Sequence, residues 1–163
     1  MNTPYRVALF ALLCLACGTP PANAPGQAVA NAEVVRRLLH ELWVERNAAV
    51  MDELLVPDYR YHYNDFDTPG ESLEEARQGI ERDFQEYSDI AVRIVNLFTT
   101  DDRGALQWVW RATHNQSQRQ VEIQSNTIYR FRAGRIAEAW DAYDYTGVAL
   151  QLGYRLLPPD SAP

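Results

Sequence analysis

Two aspartates with aromatic neighbours lie near the C-terminus, in the segment IAEAWDAYDYTG of residues 136–147. Successive side chains of a strand point to opposite faces, so Trp140 and Asp144 share one face and Asp141 takes the other. Trp140 is the bulkiest apolar residue of the segment. We therefore expect its side to face a pocket, with Asp144 pointing inward and Asp141 outward. Poor solvation beside indole rings raises the pKa of a carboxyl group towards the range that acid/base catalysis needs.

Histidines and tryptophans supply the other candidates for chemistry. Trp108 and Trp110 share a strand face with His114 by the same two-residue rule, and we expect their rings to form a flat apolar wall for a ring-shaped ligand. In such a pocket Asp144 would take a proton from a carbon next to a carbonyl group. His114 would polarise or reprotonate the carbonyl oxygen.

Each of these residues also has a structural interpretation. Asp144 precedes the terminal helix, where aspartate is a preferred N-cap. The tryptophans are more often core residues than a platform for a ligand. His62 lies in a tyrosine-rich polar stretch that is also typical of a pocket rim or a wet strand edge, and His114 precedes a polar loop and can cap the end of its strand. The sequence leaves both interpretations open.

The composition excludes several kinds of chemistry. All 15 basic residues are arginine, so no lysine side chain is present to form a Schiff base. The three histidines are too scattered for a zinc motif, and the acidic stretch of residues 65–75 lacks the regular spacing of a calcium loop. The chain has no phosphate-binding or dinucleotide-binding glycine motif. We predict no metal and no cofactor, and the net charge of −7 argues against a nucleic-acid partner.

The N-terminus has the pattern of an export signal. An apolar run from residue 7 to residue 16 is too short to span a bilayer, which predicts a signal peptide over residues 1–16. The sequence LACG of residues 15–18, at the end of this run, resembles a bacterial lipobox and predicts a lipid anchor on Cys17. The alternative is cleavage at the Ala-x-Ala pattern of residues 22–24, which would give a secreted protein. Residues 17–32 are rich in Ala, Pro, Gly and Asn, which predicts a flexible tether.

Residues 33–157 are predicted to form one α+β domain, followed by a disordered tail of residues 158–163. Asn31 is the expected N-cap of a first helix that begins near Glu33, and a capping box predicts a further helix from residue 73. The apolar period then changes from about 3.6 to 2, which predicts four consecutive antiparallel strands. A curved sheet packed by N-terminal helices leaves room for a cone-shaped pocket.

Two stretches resemble a known family. GALQWVWRATHNQ, and later SNTIYRFRAGRIAEAWDAYDYTGVALQLG, are similar to the SnoaL-like polyketide cyclase or ester cyclase family of the nuclear transport factor 2-like superfamily. The similarity covers roughly residues 34–153. It implies a cone-shaped α+β fold and an intramolecular aldol closure without metal or cofactor.

The resemblance also implies roles for individual residues. By position Asp144 matches the family's acid/base aspartate, which follows the last strand. His62 or Asn64 matches a polar pocket residue after the first strand, and His114 matches the histidine that ends the third. Two local patterns differ, because the chain has His-Tyr-Asn where the family often has His-x-Pro, and Gln116 where a glycine is usual.

The resulting hypothesis is an exported SnoaL-like domain whose apolar pocket binds a small hydrophobic ligand. Asp144, His114 and His62 would catalyse aldol cyclisation or isomerisation of a carbonyl compound, while Asn64, Trp108, Trp110 and Trp140 would contact the ligand. The alternative is a non-enzymatic binding or interaction module anchored to the cell envelope. An epoxide-hydrolase-like activation of water is a third reading. The open side of such a sheet further suggests a homodimer.

Overall fold

A computed structural model describes residues 26–65 and 68–157. The predicted signal peptide, Cys17 and the predicted tail lie outside these residues. Four α-helices are present in the described part: α1 (Gln27–Arg37), α2 (Val50–Leu54), α3 (Leu73–Glu86) and α4 (Tyr145–Gln151). Helix α1 continues directly into a π-helical segment, Leu38–Val44.

Six strands form a single sheet. They are β1 (Leu55–Tyr63), β2 (Glu71–Ser72), β3 (Tyr87–Thr99), β4 (Arg103–His114), β5 (Gln120–Arg132) and β6 (Arg135–Tyr143), in the spatial order β2-β1-β6-β5-β4-β3. Strands β3 to β6 form the predicted antiparallel meander, and β1 joins it parallel to β6. The predicted α+β class, with helices on one side of a curved sheet, is confirmed.

Helix α1 begins earlier than the sequence analysis predicts. Asn31 is not an N-cap but lies within the helix, fully buried, where its Nδ2 atom donates hydrogen bonds to the carbonyl oxygens of Thr100 (2.9 Å) and Asp101 (3.1 Å). The prediction of a tether is therefore wrong for residues 27–32, which belong to the folded domain. The error arose because a local capping signal cannot reveal a partner some 70 residues away in the chain.

Helix α3 begins as predicted. The Ser72 hydroxyl accepts a hydrogen bond from the backbone N–H of Glu75 (3.3 Å), and the Glu75 carboxylate accepts one from the backbone N–H of Ser72 (2.8 Å). This reciprocal pair satisfies two N–H groups that a helix start otherwise leaves open. The apolar side chains of α3, among them Ala76 and Ile80, pack against the core.

The core lies between the helices and the concave face of the sheet. Strand alternation places Leu106, Trp108 and Trp110 of β4 on this face, all at least nine-tenths buried. The opposite face carries exposed apolar side chains, including Phe98 and Ile128. No helix within the described residues is long and apolar enough to cross a membrane. The homodimer stays a prediction.

Candidate active site

A cavity of about 400 Å³ lies between the concave face of the sheet and the helices. Its sheet wall includes Tyr59, Trp108 and Tyr129, and its helical wall includes Leu42 and Trp43. The volume falls within the range of small-molecule sites, which lies at roughly 300–1,000 Å³. The cavity is therefore large enough for a small organic ligand.

The carboxyl group in the depth of the cavity belongs to Asp141. This residue lies on β6, is 7% exposed and lines the cavity wall. Its Oδ1 atom accepts hydrogen bonds from the hydroxyl groups of Thr127 (3.0 Å) and Ser125, and its Oδ2 atom accepts one from the Tyr61 hydroxyl (3.3 Å). Among the described residues no arginine or histidine forms an ion pair with it. The site thus holds a buried acid that is hydrogen-bonded but has no balancing cation.

Burial determines the acidity of Asp141. Desolvation raises the pKa of this carboxyl group, and the hydrogen bonds from Ser125, Thr127 and Tyr61 lower it only in part, so the net direction is upward. Desolvation is also the main cause that raises the pKa of Tyr61, which therefore remains a hydroxyl donor across the physiological range. A raised carboxyl pKa makes Asp141 a stronger base once it has lost its proton.

Trp108 holds the hydroxyl network in place. Its indole N–H donates to the Thr127 hydroxyl (3.0 Å), which in turn donates to Asp141. Trp108 and Trp110 both line the cavity, as the sequence analysis expects, and both are also core residues. The core interpretation of these two residues is confirmed, and contact with a ligand stays a prediction. The indole N–H of Trp110 has no hydrogen-bond acceptor among the described residues.

A second acid, Asp83, lines the opposite, helical wall. It lies on α3 and is half-buried. Burial raises the pKa of Asp83 to about 6, the charge of Glu86 adds to the rise, and Arg82 opposes it. Near this acid the rings of Tyr63 and Tyr143 contact each other, with centroids 4.4 Å apart.

The predicted orientation of Asp144 is wrong. Asp144 is exposed, does not line the cavity, and is the N-cap of α4, where its carboxylate accepts a hydrogen bond from the Gly147 backbone N–H (2.9 Å). The alternation of side chains along the strand was predicted correctly, but the face that was predicted to point into the pocket is the outer face. Trp140 lies on the outer face of the sheet, where its ring stacks on His62 at 5.4 Å, so it does not contact the cavity.

His62 also lies outside the cavity. It is buried on the outer face, and its Nε2 atom lies 2.9 Å from the Glu138 carboxylate, which in turn pairs with Arg130 (2.6 Å). Gly70 covers the ring: a Cβ atom at this position would lie 2.9 Å from His62 Cε1. Together with Trp140, this cluster stabilises the β1–β6 pairing at a distance from the candidate site.

His114 and Asn64 have structural partners as well. The Nδ1 atom of His114 lies 2.8 Å from the Ser117 hydroxyl and organises the turn after β4. The Asn64 amide donates to the Tyr143 carbonyl oxygen (3.1 Å) and accepts from the Tyr143 N–H (3.3 Å), which ties the ends of β1 and β6 together. Neither residue lines the cavity.

The sequence did contain a signal for Asp141. Ser125 and Thr127 interrupt the apolar positions of β5 on a single strand face, and register places Thr127 directly opposite Asp141. Two inward hydroxyl groups in a predicted core strand indicate a buried polar partner, because a buried hydroxyl needs a hydrogen bond. Within the described residues, no group of three or more His, Cys, Asp or Glu side chains is placed to hold a metal ion.

A model of the SnoaL-like polyketide cyclase family matches residues 33–152. The chain belongs to this family. The match includes both walls of the cavity, with Asp83 and Asp141, and ends just after α4. No curated protein matches the SnoaL-like chain with significance.

Solved structures share the fold of this SnoaL-like domain. TsrD from Streptomyces laurentii has a TM-score of 0.67 at 20% identity, covering 77% of this chain and 96% of its own. A candidate SnoaL-like polyketide cyclase from Jannaschia sp. CCS1 has a TM-score of 0.71 at 18% identity, covering 82% and 99%. A ketosteroid isomerase-like protein from Catenulispora acidiphila, solved with trimethylamine, has a TM-score of 0.64 at 20% identity, covering 80% and 98%. At these identities the likeness shows a common fold and leaves the reaction open.

Proposed function

We propose that this SnoaL-like domain catalyses cofactor-free acid/base chemistry on a hydrophobic carbonyl compound, with Asp141 as the general base. One observation carries the proposal: a carboxyl group that is 7% exposed lines the cavity and has no cationic partner among the described residues. Buried carboxylates are costly unless they are paired or change protonation state. A group that gains stability by taking up a proton suits proton transfer.

In the proposed reaction, ionised Asp141 removes a proton from the carbon next to the carbonyl group. The electron pair of the C–H bond forms a C=C bond to the carbonyl carbon, and the carbonyl π electrons move onto the oxygen, which gives an enolate, while the proton stays on Asp141. In cyclisation, the enolate carbon attacks a second carbonyl of the same molecule, and the alkoxide that forms takes the proton from Asp141. In isomerisation, a different carbon takes that proton. Well-placed proton transfer contributes roughly 10²–10⁴ in rate.

The aromatic walls define the class of substrate. Tyr59, Trp108 and Tyr129 offer ring faces and edges, and their burial leaves little room for water beside a bound ring. Flat apolar compounds gain from stacking and from transfer out of water. The proposed substrate is therefore a fused-ring or aryl ketone.

Exchange of hydrogen for deuterium in β-tetralone, a flat bicyclic ketone, tests the proposal without knowledge of the natural substrate. The ketone is incubated with the protein in deuterium oxide, and the loss of its alpha-carbon hydrogens is followed by NMR. Wild-type protein is expected to accelerate exchange over buffer, and Asp141→Asn is expected to lose about 100-fold or more of that acceleration.

Asp144→Asn is the matched control, because it changes the same side chain three residues away on an exposed helix cap. It is expected to exchange at the wild-type rate. Equal rates in all three proteins and in buffer would refute the catalytic proposal. Binding of β-tetralone without exchange would instead favour the rival function, a non-enzymatic binding module.

We also propose that the domain acts outside the cytoplasm. The support is the apolar run that ends at residue 16 and the lipobox-like sequence around Cys17. Export is the feature that favours the rival binding module, because polyketide cyclisation is normally carried out in the cytoplasm. The catalytic function and the binding function would use the same cavity, and only a measurement of turnover distinguishes them.

A further inference from the structure

The helical wall of the cavity carries a half-buried carboxyl group that has no partner among the described residues. Asp83 lines the cavity from α3 and is half-buried, yet its side chain has no hydrogen bond or ion pair within the described part of the chain. Glu75 of this helix forms the capping box and Glu74 accepts a hydrogen bond from Gln78 (2.9 Å). Glu81 and Glu86 are exposed to solvent, unlike Asp83. Helix stability does not explain why an acid lies at this position.

Both cavity acids raise the pKa of the same tyrosine, Tyr143. Burial and the neighbouring Tyr63 are the main causes that raise the pKa of Tyr143, and the charges of Asp141 and Asp83 raise it further. Asp83, Asp141 and Tyr143 all line the same cavity. Asp141 is on the sheet wall and Asp83 on the helical wall. A flat ligand between the walls therefore has one acid on each side.

We propose that Asp83 is a second acid–base residue of this cavity, donating a proton to the carbonyl oxygen of the substrate while Asp141 removes a proton from the adjacent carbon. This inference rests on the proposed function and names the residue that supplies a proton to the carbonyl oxygen. As the C–H bond breaks, its electron pair forms the C=C bond of an enol, and the carbonyl π electrons take the proton of Asp83. Asp141 ends protonated and Asp83 ionised, and exchange with water at the cavity mouth restores both.

Burial keeps the proton of Asp83 available up to about pH 6. Glu86 and Arg82 lie on its own helix. The titratable groups of other elements that line the cavity are Tyr59, Tyr61, Tyr63, Glu71, Tyr87, Tyr129, Asp141, Tyr143 and Tyr145. Burial, with a smaller contribution from Glu86, raises the pKa of Asp83 to about 6. Below this pH Asp83 is mainly a proton donor, and above it the group is mainly ionised.

The assignment also orients the substrate. The carbonyl oxygen points to α3, and the carbon that loses its proton points to β6. The preferred substrate class is thus a flat ketone whose carbonyl and acidic C–H face opposite walls. A ketone that is blocked at both carbons next to its carbonyl group would bind but would not react.

The pH dependence of β-tetralone exchange tests this inference. For wild-type protein, kcat/KM is expected to fall as the pH rises through about 6, because Asp83 loses its proton. Asp83→Asn is expected to react about 100-fold more slowly at pH 5 and to lack this fall. Asp83→Glu is expected to recover part of the rate. Glu81→Gln, at an exposed position of the same helix outside the cavity lining, is the matched control and is expected to behave as wild type.

A binding measurement separates this inference from the proposed function. The Asp83 carboxyl is titrated by NMR with and without saturating β-tetralone. A hydrogen bond from protonated Asp83 to the ketone stabilises the neutral form, so its pKa is expected to rise on binding. An unchanged or lowered pKa, or a wild-type pH profile in Asp83→Asn, would overturn the assignment. Loss of exchange in Asp141→Asn with no effect in Asp83→Asn would leave the proposed function standing and refute this inference alone.

Discussion

Asp141 and Asp144 carry the same carboxyl group three residues apart, and their surroundings give them different roles. Asp141 is enclosed by hydroxyl donors at the cavity wall, whereas Asp144 accepts a hydrogen bond from Gly147 at an exposed helix start. Alternation along a strand shows which residues share a face but not which face is inside. Trp140 suggested the wrong side, because the outer face of the sheet has its own buried aromatic contact with His62.

Asp83 leads to a prediction about stability at the scale of one residue. Its folded-state pKa of about 6 exceeds the unfolded value of about 3.9, so the folded state holds this proton more tightly. The corresponding stability is fully present below pH 4 and is lost as the pH rises through 6. Asp83→Asn has no charge to bury. It is expected to be more stable than wild type by about 1 kcal/mol at pH 8, a value reduced for partial exposure, and to show no gain at pH 4.

Urea unfolding at both pH values measures this difference. Glu81→Gln is exposed on the same helix and serves as the control, with no change expected at either pH. A gain of equal size at pH 4 and pH 8 would show that the amide improves packing and that the charge is irrelevant. A stability gain combined with lower activity would indicate that the acid is kept for its chemistry.

At the scale of elements, local signals located α3 but misplaced the start of α1. The capping box of α3 depends on two side chains three residues apart, so it is readable from the sequence. The start of α1 depends on Asn31 meeting the turn between β3 and β4, which is a contact between distant parts of the chain. The parallel pairing of β1 with β6 is another such contact, and it brings Tyr61 next to Asp141.

Replacement of Asn31 tests whether the N-terminal segment belongs to the fold. Asn31→Ala removes two hydrogen bonds from buried amide hydrogens and leaves carbonyl oxygens of the β3–β4 turn without partners. The free energy of unfolding, measured in urea, is expected to fall by about 2 kcal/mol. Val29→Ala, at a position of the same helix that is 61% exposed, is expected to change it by less than about 0.5 kcal/mol. Similar small effects of both substitutions would restore the tether interpretation.

At the scale of the whole molecule, the cavity forms where distant segments of the chain pack together. The sheet supplies Asp141 and one aromatic wall, while α3 and the π-helical segment supply Asp83, Leu42 and Trp43. These parts are separated by up to about a hundred residues in the chain. The exposed face of the same sheet, with Phe98 and Ile128, lies on the side away from the cavity.

The proposed attachment of this molecule to the cell envelope is tested at its N-terminus. Cys17→Ala is expected to move the protein from the membrane fraction to the soluble periplasmic or secreted fraction, because a lipid anchor needs the Cys17 thiol. Immunoblotting of fractions from cells that express the full chain measures the shift. Cys14→Ala is the control and is expected to leave fractionation unchanged. Identical fractionation of wild type and Cys17→Ala would refute the anchor.

The sequence alone determined the fold class, the α3 cap and the tryptophan wall. These features depend on local periodicity and on neighbours within one or two turns of chain, so their physical cause is contained in short segments. Only the tertiary structure decided which aspartate is buried, where α1 begins and that Asp83 and Asp141 line one cavity. Burial and the pKa shifts that follow from it depend on every surrounding segment at once, and no single stretch of the chain encodes them.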